Sequence, residues 1–137
     1  MAVIVTDQGF GPETFEGVFT TLEALPLSGE AHAVDLASDT DTRALAPLVG
    51  GVGMIRIDFP SFADGRGFSI ARALRRMGYT GRLRAKGHLL ADQYAMARRS
   101  GFDEVEIDEA LAARQPEEQW LDRADWQEHD YRSRLAG

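Results

Sequence analysis

The sequence predicts a single α/β domain, built on a mostly parallel sheet of about five strands covered by helices. Three observations predict it. The chain has 137 residues, the size of one domain. Short β-branched runs alternate with helical periodicity, and Gly or Pro stands between them. The stretch 54–107 reads strand–helix–strand–helix–strand, and connections of that length favour right-handed βαβ units in a parallel sheet.

Residues 2–6 (AVIVT) read as a strand and 8–12 (QGFGP) as a turn. Residues 13–25 place Phe15, Val18, Phe19 and Leu22 on one helical face, and 26–29 break that helix. A second strand is expected over 31–36 (AHAVDL). Asp39, Thr40 and Asp41 can cap a helix over 42–48 that stops at Gly50 and Gly51. The third strand is 54–59 (MIRIDF), with Ile55, Ile57 and Phe59 alternating. A helix over 67–77 carries Phe68, Ala71, Leu74 and Met77 on its apolar side, with Arg72, Arg75 and Arg76 between them. The fourth strand is 82–86 (RLRAK), followed by a helix over 89–100 and a fifth strand over 104–107 (EVEI). The tail 116–135 is charged and helical in pattern. Trp120, Leu121, Ala124 and Tyr131 give it a thin apolar stripe, which fits a helix on its own domain or a partner-binding arm.

Composition excludes several chemistries. There is no cysteine, hence no disulfide, no thiolate nucleophile and no Cys-ligated zinc or iron–sulfur cluster. The three histidines (His32, His88, His129) lack helical ligand spacing, so no metal site is expected and no cofactor is evident. No G-x-S-x-G occurs, and the glycines do not match G-x-G-x-x-G. No apolar run approaches a membrane span, and the N-terminus does not read as a secretory signal, so the expected location is cytoplasmic. The net charge is −7, unevenly placed. Residues 1–53 hold 8 acids and 1 base, 54–99 hold 3 acids and 10 bases, and 100–137 hold 11 acids and 4 bases. A basic centre between acidic ends attracts an anion or an acidic partner, or pairs with those ends in the fold. Nucleic acid is not an expected partner, since the chain is acidic and carries no such motif. The residues are compatible with an oligomer.

Ligands of parallel sheets sit at the carboxyl ends of strands, and two turns there carry the candidate site. In the first, over 58–67, Pro60 fixes the chain after the strand, while Gly65 and Gly67 permit close approach or positive φ. Arg66 offers a donor fork suited to a carboxylate, sulfate or phosphate, Ser69 a hydroxyl, and the helix N-terminus its free N–H groups. The same residues also fit a merely tight loop in which Asp64 caps the helix and pairs with Arg66. In the second turn, over 86–93, Arg84 and Lys86 share one strand face, Gly87 leads to His88, and Asp92 and Gln93 open the next helix. His88 can carry a proton or be an exposed or core-edge histidine. Asp58, Asp64 and His88 are the candidate catalytic residues. Asp64, Gly65, Arg66, Gly67, Ser69, Arg84, Lys86, Gly87, Asp92 and Gln93 are the candidate ligand-binding residues.

The stretch 54–107 contains F-P-x-F-x-D-G-R-G at 59–67, Arg72 and Leu74 on the next helix, Y-x-G-x-L-R-A-x-G at 79–87, Asp92-Gln93, and R-x-G-F-D at 99–103. With these motifs it resembles the bacterial domain-of-unknown-function family 934. The resemblance implies a role in sulfite reduction and sulfate assimilation, beside sulfite reductase, and an oxidoreductase assignment. With no cysteine to hold siroheme or a cluster, an accessory or anion-binding role is favoured. Two alternatives stand beside it. One is an enzyme with Asp58 or Asp64 as base and a nicotinamide or flavin cofactor not held by cysteine. The other is an interaction scaffold with no ligand site.

Overall fold

The structure is a computed structural model that describes residues 2–22 and 32–126. Its strands are β1 (Val3–Thr6), β2 (Gly9–Gly11), β3 (Val18–Thr21), β4 (His32–Leu36), β5 (Met54–Phe59), β6 (Arg82–Gly87) and β7 (Glu104–Ile107). Its α-helices are α1 (Arg66–Arg76), α2 (Tyr94–Ser100), α3 (Glu109–Arg114) and α4 (Glu117–Leu121).

All the strands join one sheet in the order β2-β1-β7-β6-β5-β4-β3. β3 to β7 run parallel to one another, whereas β1 is antiparallel to both β2 and β7. The sheet therefore has seven strands rather than about five, and it is mixed rather than mostly parallel. Two strands account for the number, and the antiparallel β1 makes the sheet mixed. β2 is the glycine-rich stretch expected to be only a turn, and it pairs with β1 through Val5 and Phe10. β3 replaces the helix expected over 13–25. Its run Val-Phe-Thr-Thr is β-branched and aromatic, and parallel pairing of Phe19 with Ala33 of β4 outweighs the helical spacing of the apolar residues. Residues 23–25 of that expected helix lie outside the described residues, as does 31 of the second strand.

The remaining differences are local. The helix expected over 42–48 is two 3-10 turns, Thr42–Ala44 and Ala46–Leu48, with Asp41 capping the first and Pro47 withholding an N–H in the second. The helix expected over 89–100 begins as a 3-10 turn, Ala91–Gln93, before α2. The tail contributes α4, and 127–135 lie outside the described residues. α3, between β7 and α4, is an element the periodicity did not reveal. No helix among the described residues is long and apolar enough to cross a membrane.

The two sheet faces differ in chemistry. On one, Val34, Leu36, Ile55, Ile57, Phe59, Leu83, Ala85, Val105 and Ile107 are buried in the core with Phe68, Ala71 and Leu74 of α1. Gly67 lets α1 lie close, since a Cβ there would stand 2.5 Å from the Phe59 ring. On the other face the alternation puts Asp35, Arg56, Arg82, Arg84, Glu104 and Glu106 in cross-strand register. Arg56 pairs with Asp35 at 2.5 Å and Glu106 at 3.1 Å, and Arg82 pairs with Glu104 at 2.6 Å. Arg56 also lies over the Phe19 ring, 3.8 Å from its centroid. Away from this face, Arg75 reaches Asp103 and Arg98 reaches Asp7. Much of the basic centre thus folds onto acids from both ends of the chain.

Candidate functional site

The turn after β5 and the turn after β6 adjoin at the carboxyl edge of the sheet. His88 donates its backbone N–H to the Phe59 carbonyl at 2.9 Å, and its Nδ1 lies 3.3 Å from the same oxygen. The Phe62 ring stands perpendicular to the His88 ring, with centroids 5.4 Å apart. Gln93 bridges the turns: its Nε2 donates to the Phe62 carbonyl at 3.2 Å, and its Oε1 accepts the Leu90 N–H at 2.8 Å. Gly87 makes the approach possible. Its φ is +120°, and a Cβ there would stand 2.6 Å from the Phe59 carbonyl oxygen.

Beside this junction lies an open cleft of about 790 Å³ over the ends of β6 and β7. Phe62, Lys86, His88, Asp108, Leu111 and Arg114 are among its lining residues. The third turn of the edge, after β7, supplies Asp108 and Arg114. Asp108 caps α3 by accepting the Leu111 N–H at 2.7 Å, and Arg114 closes that helix. Sequence reasoning missed this turn. Its signal was a strand (EVEI) followed at once by an acidic cap and the helical run Glu-Ala-Leu-Ala-Ala-Arg.

The lining charges divide by commitment. Glu106 accepts from both Arg56 and Arg84, Asp108 holds its cap, and Glu109 also has a partner. The side chains of Lys86 and Arg114 make no hydrogen bond or ion pair within the described residues. The uncommitted charge of the cleft is positive, and it faces water at the end of a parallel strand, where anionic ligands are commonly held.

Of the residues singled out from the sequence, Lys86, Gly87 and His88 line the cleft. Asp58 is exposed and registers with Lys86 across β5 and β6, outside the lining. Gln93 ties the two turns together. Asp92 forms an ion pair with Arg123. Asp64, Gly65, Arg66, Gly67 and Ser69 lie outside the cleft. Asp64 accepts from the Arg66 backbone N–H at 3.1 Å, from Nε at 3.0 Å and from Nη2 at 2.7 Å, and Nη2 also donates to Ser38 Oγ at 3.0 Å. These Arg66 bonds hold the Asp64 carboxyl far below the usual carboxylate range. Of the two glycines expected to permit close approach or positive φ, Gly67 provides the close approach, against the Phe59 ring, and neither has positive φ (Gly65 φ −90°); the positive φ of these two turns is at Gly87. Ser69 is exposed on α1.

Arg84 does not present its fork to a ligand. Its side chain is 0% exposed, and its donors go to Glu104 at 2.6 Å, to Glu106 at 2.8 Å and to both carboxylate oxygens of Glu13 at 2.6 and 2.5 Å. Burial alone would lower its pKa, but the three carboxylates outweigh burial and raise it. Arg66 and Arg84 share no partner among the described residues.

Neither a curated protein nor a solved structure matches the chain. One family does, described as "Bacterial protein of unknown function (DUF934)", over residues 33–135. That span includes both turns, the third turn at Asp108 and every cleft residue discussed above, so the chain belongs to the bacterial family of unknown function DUF934.

Proposed function

We propose that the protein is an anion-binding accessory protein of sulfite reduction, acting beside sulfite reductase in the cytoplasm and holding a small anion between Lys86 and Arg114. The observation that carries the anion is the imbalance of commitment in the cleft. The carboxylates discussed there are engaged with other groups, and Lys86 and Arg114 are not. The link to sulfur chemistry is supported by the family resemblance of 54–107. The reading moves the anion from Arg66 and Arg84, whose donors are in use, to the neighbouring cations at the same sheet edge.

Titration calorimetry with sulfite or sulfate at low ionic strength tests the binding. Lys86→Ala or Arg114→Ala removes a charge-assisted contact and is expected to weaken binding by about tenfold or more. Arg66→Ala, outside the cleft, is expected to leave the isotherm unchanged. Undiminished binding in the Lys86→Ala/Arg114→Ala double variant overturns the site. Co-purification from a sulfate-grown host checks the partner, and absence of sulfite reductase from the eluate removes that part of the reading.

A second reading, an interaction scaffold without a small ligand, is favoured by one observation: Asp64 and Arg66 close on each other away from the cleft. It predicts a flat isotherm for the wild type itself.

A further inference from the structure

The cleft is larger than a small oxyanion requires, and one of its walls is aromatic. Its volume of about 790 Å³ falls in the range of clefts that take organic ligands. Phe62 stands at its wall and remains 40% exposed, although Gln93 fixes the backbone beneath it. An isolated exposed apolar residue is ordinary. Phe62 differs in its setting: a buttressed turn, one perpendicular contact to His88, and two uncommitted cations on the same cleft. Ile107 and Leu111 extend the apolar part of the lining.

We infer that the ligand is an aromatic anion, a planar ring lying against Phe62 whose phosphate or sulfonate group reaches Lys86 and Arg114. This rests on the anion reading above and names its ligand class. The ring surface that His88 leaves uncovered stacks on the ligand, because aromatic pairs favour offset or edge contacts beyond simple burial. Gly87 and Gln93 hold His88 and Phe62 in place before the ligand arrives, which limits the ordering cost of binding.

The test is a chemical-shift titration of the full chain with adenosine 5′-monophosphate, benzenesulfonate and inorganic sulfate at matched ionic strength. The two aromatic probes separate a phosphate head from a sulfonate head, and preference for either supports the inference. The expected result is that at least one binds about tenfold more tightly than sulfate. In Phe62→Ala the ratio of aromatic to sulfate affinity is expected to fall roughly 3- to 10-fold, and in Phe62→Trp to be retained. Equal affinities for all three probes, or an aromatic preference that survives Phe62→Ala, overturns the inference and leaves the anion reading standing. Binding by none of the three overturns both.

Discussion

At Gly87 a single residue sets the geometry of the sheet edge. Its φ of +120° strains any other side chain, and a Cβ would meet the Phe59 carbonyl at 2.6 Å. Gly87→Ala is therefore expected to destabilise the fold by about 1–3 kcal/mol and to shift the resonances of His88 and Phe62. Urea unfolding and side-chain spectra check it, and an unchanged midpoint would show that the strand end relaxes freely. The need for glycine was legible as a Gly after a strand, but which glycine carried it was not. Gly65 and Gly67 stood in the more conspicuous motif, yet Gly65 has ordinary backbone and Gly67 serves packing against Phe59. Arg84 teaches a similar lesson. Its place on a strand beside Lys86 was readable, but its three carboxylate partners come from residues 13, 104 and 106, far along the chain.

At the scale of elements, the segment between β2 and β3 covers the charged sheet face through Glu13. The hydrogen bonds from Arg84 lower the Glu13 pKa from its ordinary 4.5 to about 2, against a burial effect that would raise it. A depressed carboxylate contributes stability above its unfolded pKa and loses it as the pH falls through the folded one. The window here runs from about 4.5 down to about 2. Glu13→Gln is expected to be less stable than wild type near neutrality, with the gap narrowing as the medium is acidified through that window. Paired urea titrations across it check this, and a gap independent of pH would show that the Glu13 pair contributes nothing. Glu13 is two-fifths exposed, so the effect is modest. The periodicity of 13–25 suggested a helix because four apolar residues fit a 3.6 period, whereas pairing with β4 made part of it a strand. Short apolar runs fit both periods, and only the neighbouring strand decides between them.

Across the whole molecule, charge serves two purposes. The Arg84 network is sequestered and holds the sheet face together, while Lys86 and Arg114 stand at an open cleft. Salt screens exposed charges far more than buried ones. Raising KCl from about 0.05 M to about 0.5 M is expected to weaken sulfate binding several-fold while shifting the melting temperature by no more than a few degrees. Calorimetry and thermal melts measure the pair of effects. A large loss of melting temperature would mean that the sheet-face pairs are hydrated, and salt-independent binding would place the anion elsewhere.

The sequence by itself determined the α/β class, the strand–helix–strand–helix–strand run over 54–107 and the adjacency of the turns after β5 and β6. Local periodicity and glycine placement encode these, and parallel crossovers bring successive strand ends to one edge. The tertiary structure alone decided the extra strand β2 and the antiparallel placing of β1, the parallel edge strand β3 and the partners of the sheet-face arginines. An arginine's availability depends on which carboxylates the fold brings beside it, and those partners lie up to 71 residues away for Arg84. Long-range pairing seals Arg84 beneath Glu13, Arg66 closes locally on Asp64 and across the chain on Ser38, and at the cleft the side chains of Lys86 and Arg114 have no hydrogen bond or ion pair within the described residues.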